Sequence, residues 1–168
     1  MYRISSRQKG FTLVELLVAI PIAGLVMLAA SGAIIQLVNS SRASAHMNAI
    51  RQVQMAGTWI SRDGLQAETV DIDPATGEFC IFEWHDITAP GAPKQTVVYR
   101  LIPMSSGDLY QLQREVTVGG ETPASATVAR NLVSAALSGD QTSFKLEVTS
   151  KWKQKTVTRT YDVTPRPE

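Results

Sequence analysis

Cysteine occurs once, at Cys80, and histidine twice, at His46 and His85. One thiol cannot close an intrachain disulfide, and these three residues cannot build a zinc cluster at ligand spacing, so structure must come from packing. Charge of one sign is scarce too. Sixteen Lys and Arg stand against fifteen Asp and Glu, a net of +1, which gives no global field for holding nucleic acid by counterion release; no nucleic-acid partner is expected. The chain also has no Gly-rich phosphate loop, no Ser-His-Asp order and no carboxylate pair in a glycosidase-like context. It therefore offers no catalytic residue and no cofactor or metal site, and reads as a non-enzyme. No internal repeat, low-complexity tract or flexible linker interrupts it. At 168 residues and 44% hydrophobic, it suits one domain of modest size plus an apolar segment.

That segment is Phe11 to Val38, 28 residues whose only ionisable side chain is Glu15. About 20 apolar residues suffice to cross a bilayer. Arg3, Arg7 and Lys9 precede the run with no acid among them, and the remaining chain carries 13 basic and 15 acidic residues. By the preference of Lys and Arg for the cytoplasmic side, the amino terminus stays inside and the bulk of the chain is exported.

Beyond Val38, apolar or small residues recur at Met47, Ile50, Val53, Gly57 and Ile60, the spacing of one buried helical stripe. The helix is expected to continue to Asp63-Gly64, about residue 65, where glycine can adopt a left-handed stop. Its second half must then pack on something outside the membrane. Short alternating or β-branched runs follow at 79–84, 96–101, 109–113 and 144–148, and 157–163 resumes the rhythm after a hairpin turn at 151–155. Turn residues gather at 73–77, 89–93 and 119–123. The predicted fold class is α+β, one long helix lying across one small antiparallel sheet.

The informative constellation is Lys9-Gly10-Phe11-Thr12-Leu13-Val14-Glu15 at the mouth of the apolar run. An acidic side chain at the centre of a membrane helix costs about 2.5–3.5 kcal/mol, less near an end, so Glu15 calls for a partner. Cutting the Gly10-Phe11 bond would create an ammonium group on Phe11 that a neighbouring subunit's Glu15 could meet. Two unit charges ~4 Å apart attract by about 4 kcal/mol at an effective dielectric of 20, before desolvation is subtracted.

The stretch from Gly10 to Ile20, with its short basic leader, resembles the class III signal of type IV prepilins, type II secretion pseudopilins and competence pilins. The resemblance implies that a prepilin peptidase cleaves after Gly10 and methylates the new amine of Phe11, and that Glu15 serves assembly with other pilin or pseudopilin subunits. It further implies export by the Sec route, an inner-membrane assembly platform with its ATPase, and a pilin-like fold. The organisation would be a leader at 1–10, a transmembrane or filament-core helix at 11–38 and an extracytoplasmic domain at 39–168. The lipid bilayer is then a partner: the chain starts as a single-pass protein of the bacterial inner membrane, amino terminus in the cytoplasm, and moves to a cell-surface or periplasmic filament. Weaker likenesses, including Trp59-Ile60-Ser61-Arg62-Asp63, Gln113-Arg114-Glu115-Val116 and Val128-Ala129-Arg130-Asn131-Leu132, resemble the larger minor pseudopilins and minor pilins. Pro21 departs from the family pattern and is expected to interrupt or kink the helix by freeing the carbonyl of Leu17.

Two other readings compete. Leu28 to Ala33 resembles an ordinary signal-peptidase site, whose product would be a soluble secreted domain starting near Ile34. An uncleaved single-pass anchor could instead carry a binding module. Glu83-Trp84-His85-Asp86 gathers groups found in catalytic or metal sites, yet reads better as a strand end with its tryptophan half in the core. Cys80 reads as a buried small hydrophobe. Lys151-Trp152-Lys153-Gln154-Lys155 is similar to the basic patches of single-strand binders, but three lysines at a hairpin tip usually serve solubility.

Overall fold

The computed structural model describes residues 12–85, 91–105, 107–121 and 123–166. One helix, α1 (Leu13–Gln66), precedes seven strands: β1 (Thr69–Asp71), β2 (Cys80–Trp84), β3 (Gln95–Pro103), β4 (Tyr110–Val118), β5 (Ala124–Gly139), β6 (Phe144–Trp152) and β7 (Lys155–Val163). The strands form one sheet in sequence order, each antiparallel to the next. A connection between such neighbours needs only a short turn, which the chain supplies at Lys153-Gln154 between β6 and β7. The α+β, pilin-like architecture expected from the sequence is the one observed.

The chain divides into two compact units, one ending at Arg42 and the other starting at Ala43. In the first, every described residue is exposed. In the second, burial alternates along the strands as the two-residue period requires, with Cys80, Phe82 and Trp84 inward on β2 and Phe144, Leu146, Val148 and Ser150 inward on β6. At the centre Phe82 meets Tyr99 edge-on at 5.9 Å and stacks on Phe144 at 5.8 Å.

The buried stripe of α1 is Ala45, Ala49, Val53, Ala56, Gly57, Ile60, Asp63 and Gly64. The expected stripe shared Val53, Gly57 and Ile60 but also held Met47, which is 62% exposed, and Ile50, which is half-buried. The sheet selects small residues because it presses close to the helix. A Cβ built at Gly57 would lie 2.2 Å from Cζ of the Tyr161 ring, whose hydroxyl donates to the carbonyl of Val53 at 3.2 Å.

Gly64 has the same role rather than the expected one. The helix does not stop there but runs on to Gln66, and a Cβ on Gly64 would lie 2.8 Å from Phe144 and 3.1 Å from Val163. The helix is also continuous through Pro21 instead of being interrupted. Proline removes a single amide donor, and the remaining ladder carries the backbone across it.

Strand β5 was not expected, nor was the short β1. Ala124–Gly139 is rich in Ala and Ser, which carry little strand signal. Its register shifts against both neighbours, and Asn131 sits there at φ 56°. Side chains take up part of the broken ladder: Gln52 accepts from the Arg130 amide at 2.7 Å, and buried Ser150 donates to the Asn131 carbonyl at 3.0 Å. Orphaned backbone groups in the core would otherwise cost about as much as a lost hydrogen bond each.

Candidate functional site

The first described turn of α1 is closed by a reciprocal cap. The Thr12 amide donates to Glu15 Oε2 at 2.9 Å, the Thr12 hydroxyl donates to the same oxygen at 3.0 Å, and the Glu15 amide donates to Thr12 Oγ1 at 3.3 Å. This is a capping box, in which a threonine and a glutamate three residues later satisfy each other's backbone donors at a helix start. The carboxylate also lies at the positive end of the helix dipole. Glu15 thus has a local partner within its own chain, in addition to any that a neighbouring subunit supplies. The Thr-x-x-Glu spacing ahead of an apolar run was the signal for it.

Past this cap the helix is long and apolar enough to cross a membrane. Its large apolar side chains are exposed all round, from Leu13 at 79% to Leu28 at 72%. A helix that is apolar on every face is stable in lipid or among other apolar helices, not in water.

In the second unit the notable polar cluster is centred on Asp63, which is 2% exposed. Arg114 on β4 grips it with two hydrogen bonds, Nε to Oδ2 at 2.6 Å and Nη2 to Oδ1 at 3.1 Å, and the Tyr99 hydroxyl on β3 donates to Oδ2 at 2.6 Å. The guanidinium of Arg114 lies 5.0 Å from the ring centre of Trp59, and that of Arg62 lies 5.8 Å from the same ring. Bidentate pairing and stacking both use the planar guanidinium, so lysine could not replace Arg114 here. Burial first, and then the charge of Asp63, pushes the Tyr99 phenol well above its ordinary range, keeping it a donor. The cluster ties the end of α1 to two strands. Its chemistry is that of a clamp.

Residues 5–31 match the prokaryotic N-terminal methylation motif. The segment is a type IV prepilin-like class III signal. No curated protein and no solved structure matched the chain.

The prepilin-like signal and the apolar helix fit an inner-membrane-anchored precursor. Gly10 and Phe11, the expected processing pair, lie outside the described residues; the signal's carboxylate, Glu15, lies within them. The other highlighted groups belong to the second unit. Cys80 is fully buried, and burial raises its thiol far above the ordinary range, with Asp63 and Asp71 adding to the effect. Trp84 is 9% exposed, more buried than the half expected. Its neighbour His85 pairs with Glu68, Nδ1 to Oε2 at 2.9 Å, and Asp86 lies outside the described residues. That hydrogen bond, with a second from the His85 amide, holds the Glu68 carboxyl below its usual value. The Asp63 clamp was missed because its partners are distant in sequence, although Trp59 to Asp63 and Arg114 had each stood out.

Proposed function

We propose that the chain is a minor subunit of a type IV pilus or type II secretion pseudopilus, taking part in filament assembly or priming. Prepilin peptidase cuts between Gly10 and Phe11 and methylates the new amine. Residues 11–38 hold the subunit in the inner membrane, amino terminus inward, until it joins other pilin or pseudopilin subunits through the assembly platform. The domain of residues 39–168 is the extracytoplasmic contact surface. The observation that carries this reading is the signal at residues 5–31 together with a helix whose apolar side chains are exposed from Leu13 to Val38.

Glu15 serves two successive partners in this scheme. In the precursor its carboxylate is satisfied by Thr12, which lowers the cost of an acid at the edge of the apolar segment. In the filament it aligns with the Phe11 amine of an adjoining subunit. An ion pair at ~4 Å and an effective dielectric of 20 contributes about 4 kcal/mol before desolvation, enough to select one register over another.

Intact mass spectrometry of the membrane-extracted chain tests the processing. A methylated start at Phe11 supports filament biogenesis. A start near Ile34 indicates ordinary secretion, and a retained Met1 an uncleaved anchor; either overturns the proposal. Glu15→Ala is expected to be processed and inserted normally but to enter filaments poorly, and normal incorporation would remove the pairing argument. Gly10→Ala is expected to block leader loss.

A further inference from the structure

We infer that the β6–β7 hairpin, Lys151-Trp152-Lys153-Gln154-Lys155, is a docking surface for anionic lipid headgroups of the membrane that anchors the chain. The inference rests on the membrane-anchored reading above and adds a contact to it.

Three observations place the hairpin. First, β7 runs alongside α1 in the same direction: Val163 packs at Gly64, Tyr161 at Gly57, and the Tyr161 hydroxyl reaches the Val53 carbonyl. From Tyr161 to Lys155 is six strand residues, about 20 Å; from Val53 back to Ala43 is ten helical residues, about 15 Å. The hairpin tip is therefore level with the first residues of its unit. Second, Ala43 follows Val38, the last apolar residue of the segment, by five positions. The unit thus begins within a few residues of the end of the apolar run.

Third, the chemistry suits an interface. Lys151, Lys153 and Lys155 are exposed, and Trp152 between them is half-buried. Leu109 and Val133 line an open depression with Lys151 and Lys153, and Asp108 is the acid among them. Lysines beside a tryptophan are the composition that settles at headgroup level, and basic residues near an anionic surface are attracted to it. Because the span tethers the hairpin, docking is intramolecular and needs little affinity from each contact. Each lysine is expected to raise the docked-to-undocked ratio about fivefold.

The test uses the full chain reconstituted in vesicles of phosphatidylcholine alone or with one third phosphatidylglycerol, both with brominated acyl chains. The emission difference between wild type and Trp152→Phe isolates Trp152 from Trp59 and Trp84. Quenching of that emission several-fold stronger in the anionic vesicles, and lost at high salt, is the expected result; the salt arm needs no folded variant. Replacing all three lysines by glutamine should bring quenching down to the phosphatidylcholine level. Equal quenching in both lipids, or quenching that survives the triple replacement, overturns the inference while leaving the anchored reading intact. A single-stranded oligonucleotide bound through the lysines, with no difference between vesicles, overturns it in favour of a nucleic-acid surface. Failure of the chain to float with the vesicles overturns both.

Discussion

The two units bury their apolar residues in opposite ways. From Thr12 to Ser44 no side chain is buried, although most are apolar. From Ala45 onward the same helix hides a narrow stripe that is mostly alanine and glycine. Large apolar residues mark the half of α1 that finds no cover within its own chain, and small ones mark the half that does. Hydrophobicity therefore tells where a helix must be covered, while side-chain size tells how closely the cover approaches.

The largest expected effect breaks the covered half at its clamp. Asp63→Ala leaves a guanidinium and a phenol without their buried acceptor and should destabilise the globular unit by about 3–5 kcal/mol in chemical denaturation. Adding Arg114→Met should recover part of the loss, since it removes the stranded charge. Next comes a matched pair. Ile60→Ala should cost about 2–5 kcal/mol, whereas Leu25→Ala, at a side chain 67% exposed, should leave denaturation of the globular unit unchanged and weaken membrane retention.

Alkaline pH probes the same core. The Cys80 thiol and the Tyr99 phenol are both raised in the folded chain. The unfolded chain therefore ionises first, at about 8.5 and 10. Stability is full below about pH 8.5 and falls as pH rises, by about 1.4 kcal/mol per pH unit for each group once its unfolded value is passed. Cys80→Ala should flatten the decline that begins near pH 8.5, and Tyr99→Phe the part that begins near pH 10. The smallest effect is at the cap: Thr12→Ala should loosen the first turn of α1 by about 1 kcal/mol, seen as faster amide exchange there, with no change in the globular unit.

Where a local pattern sufficed, the sequence was legible. The alternation in β2, β3 and β7 marks strands close to their observed bounds, β6 runs four residues past its expected end, and Val53, Gly57 and Ile60 are buried as expected. It was least legible where contacts overrode propensity. β5 is held as a strand by pairing with β4 and β6 despite its Ala and Ser content, and Gly64, which locally reads as a helix stop, is kept helical where Phe144 leaves no room for a side chain. Glu15 sits between these cases. Its isolation in the apolar run is evident from composition, whereas its capping partner is marked only by the Thr-x-x-Glu spacing.

By itself the sequence determined the basic leader, the length of the apolar run, the position of its acid and the alternation that makes a sheet, because each is set by neighbours a few residues apart. Only the tertiary structure decided which helix face is small, where β5 shifts register, and that Asp63 is gripped by Tyr99 and Arg114, 36 and 51 residues further along the chain. Burial and ion pairing are settled by whichever groups the fold brings within a few ångströms, and no local spacing encodes that meeting.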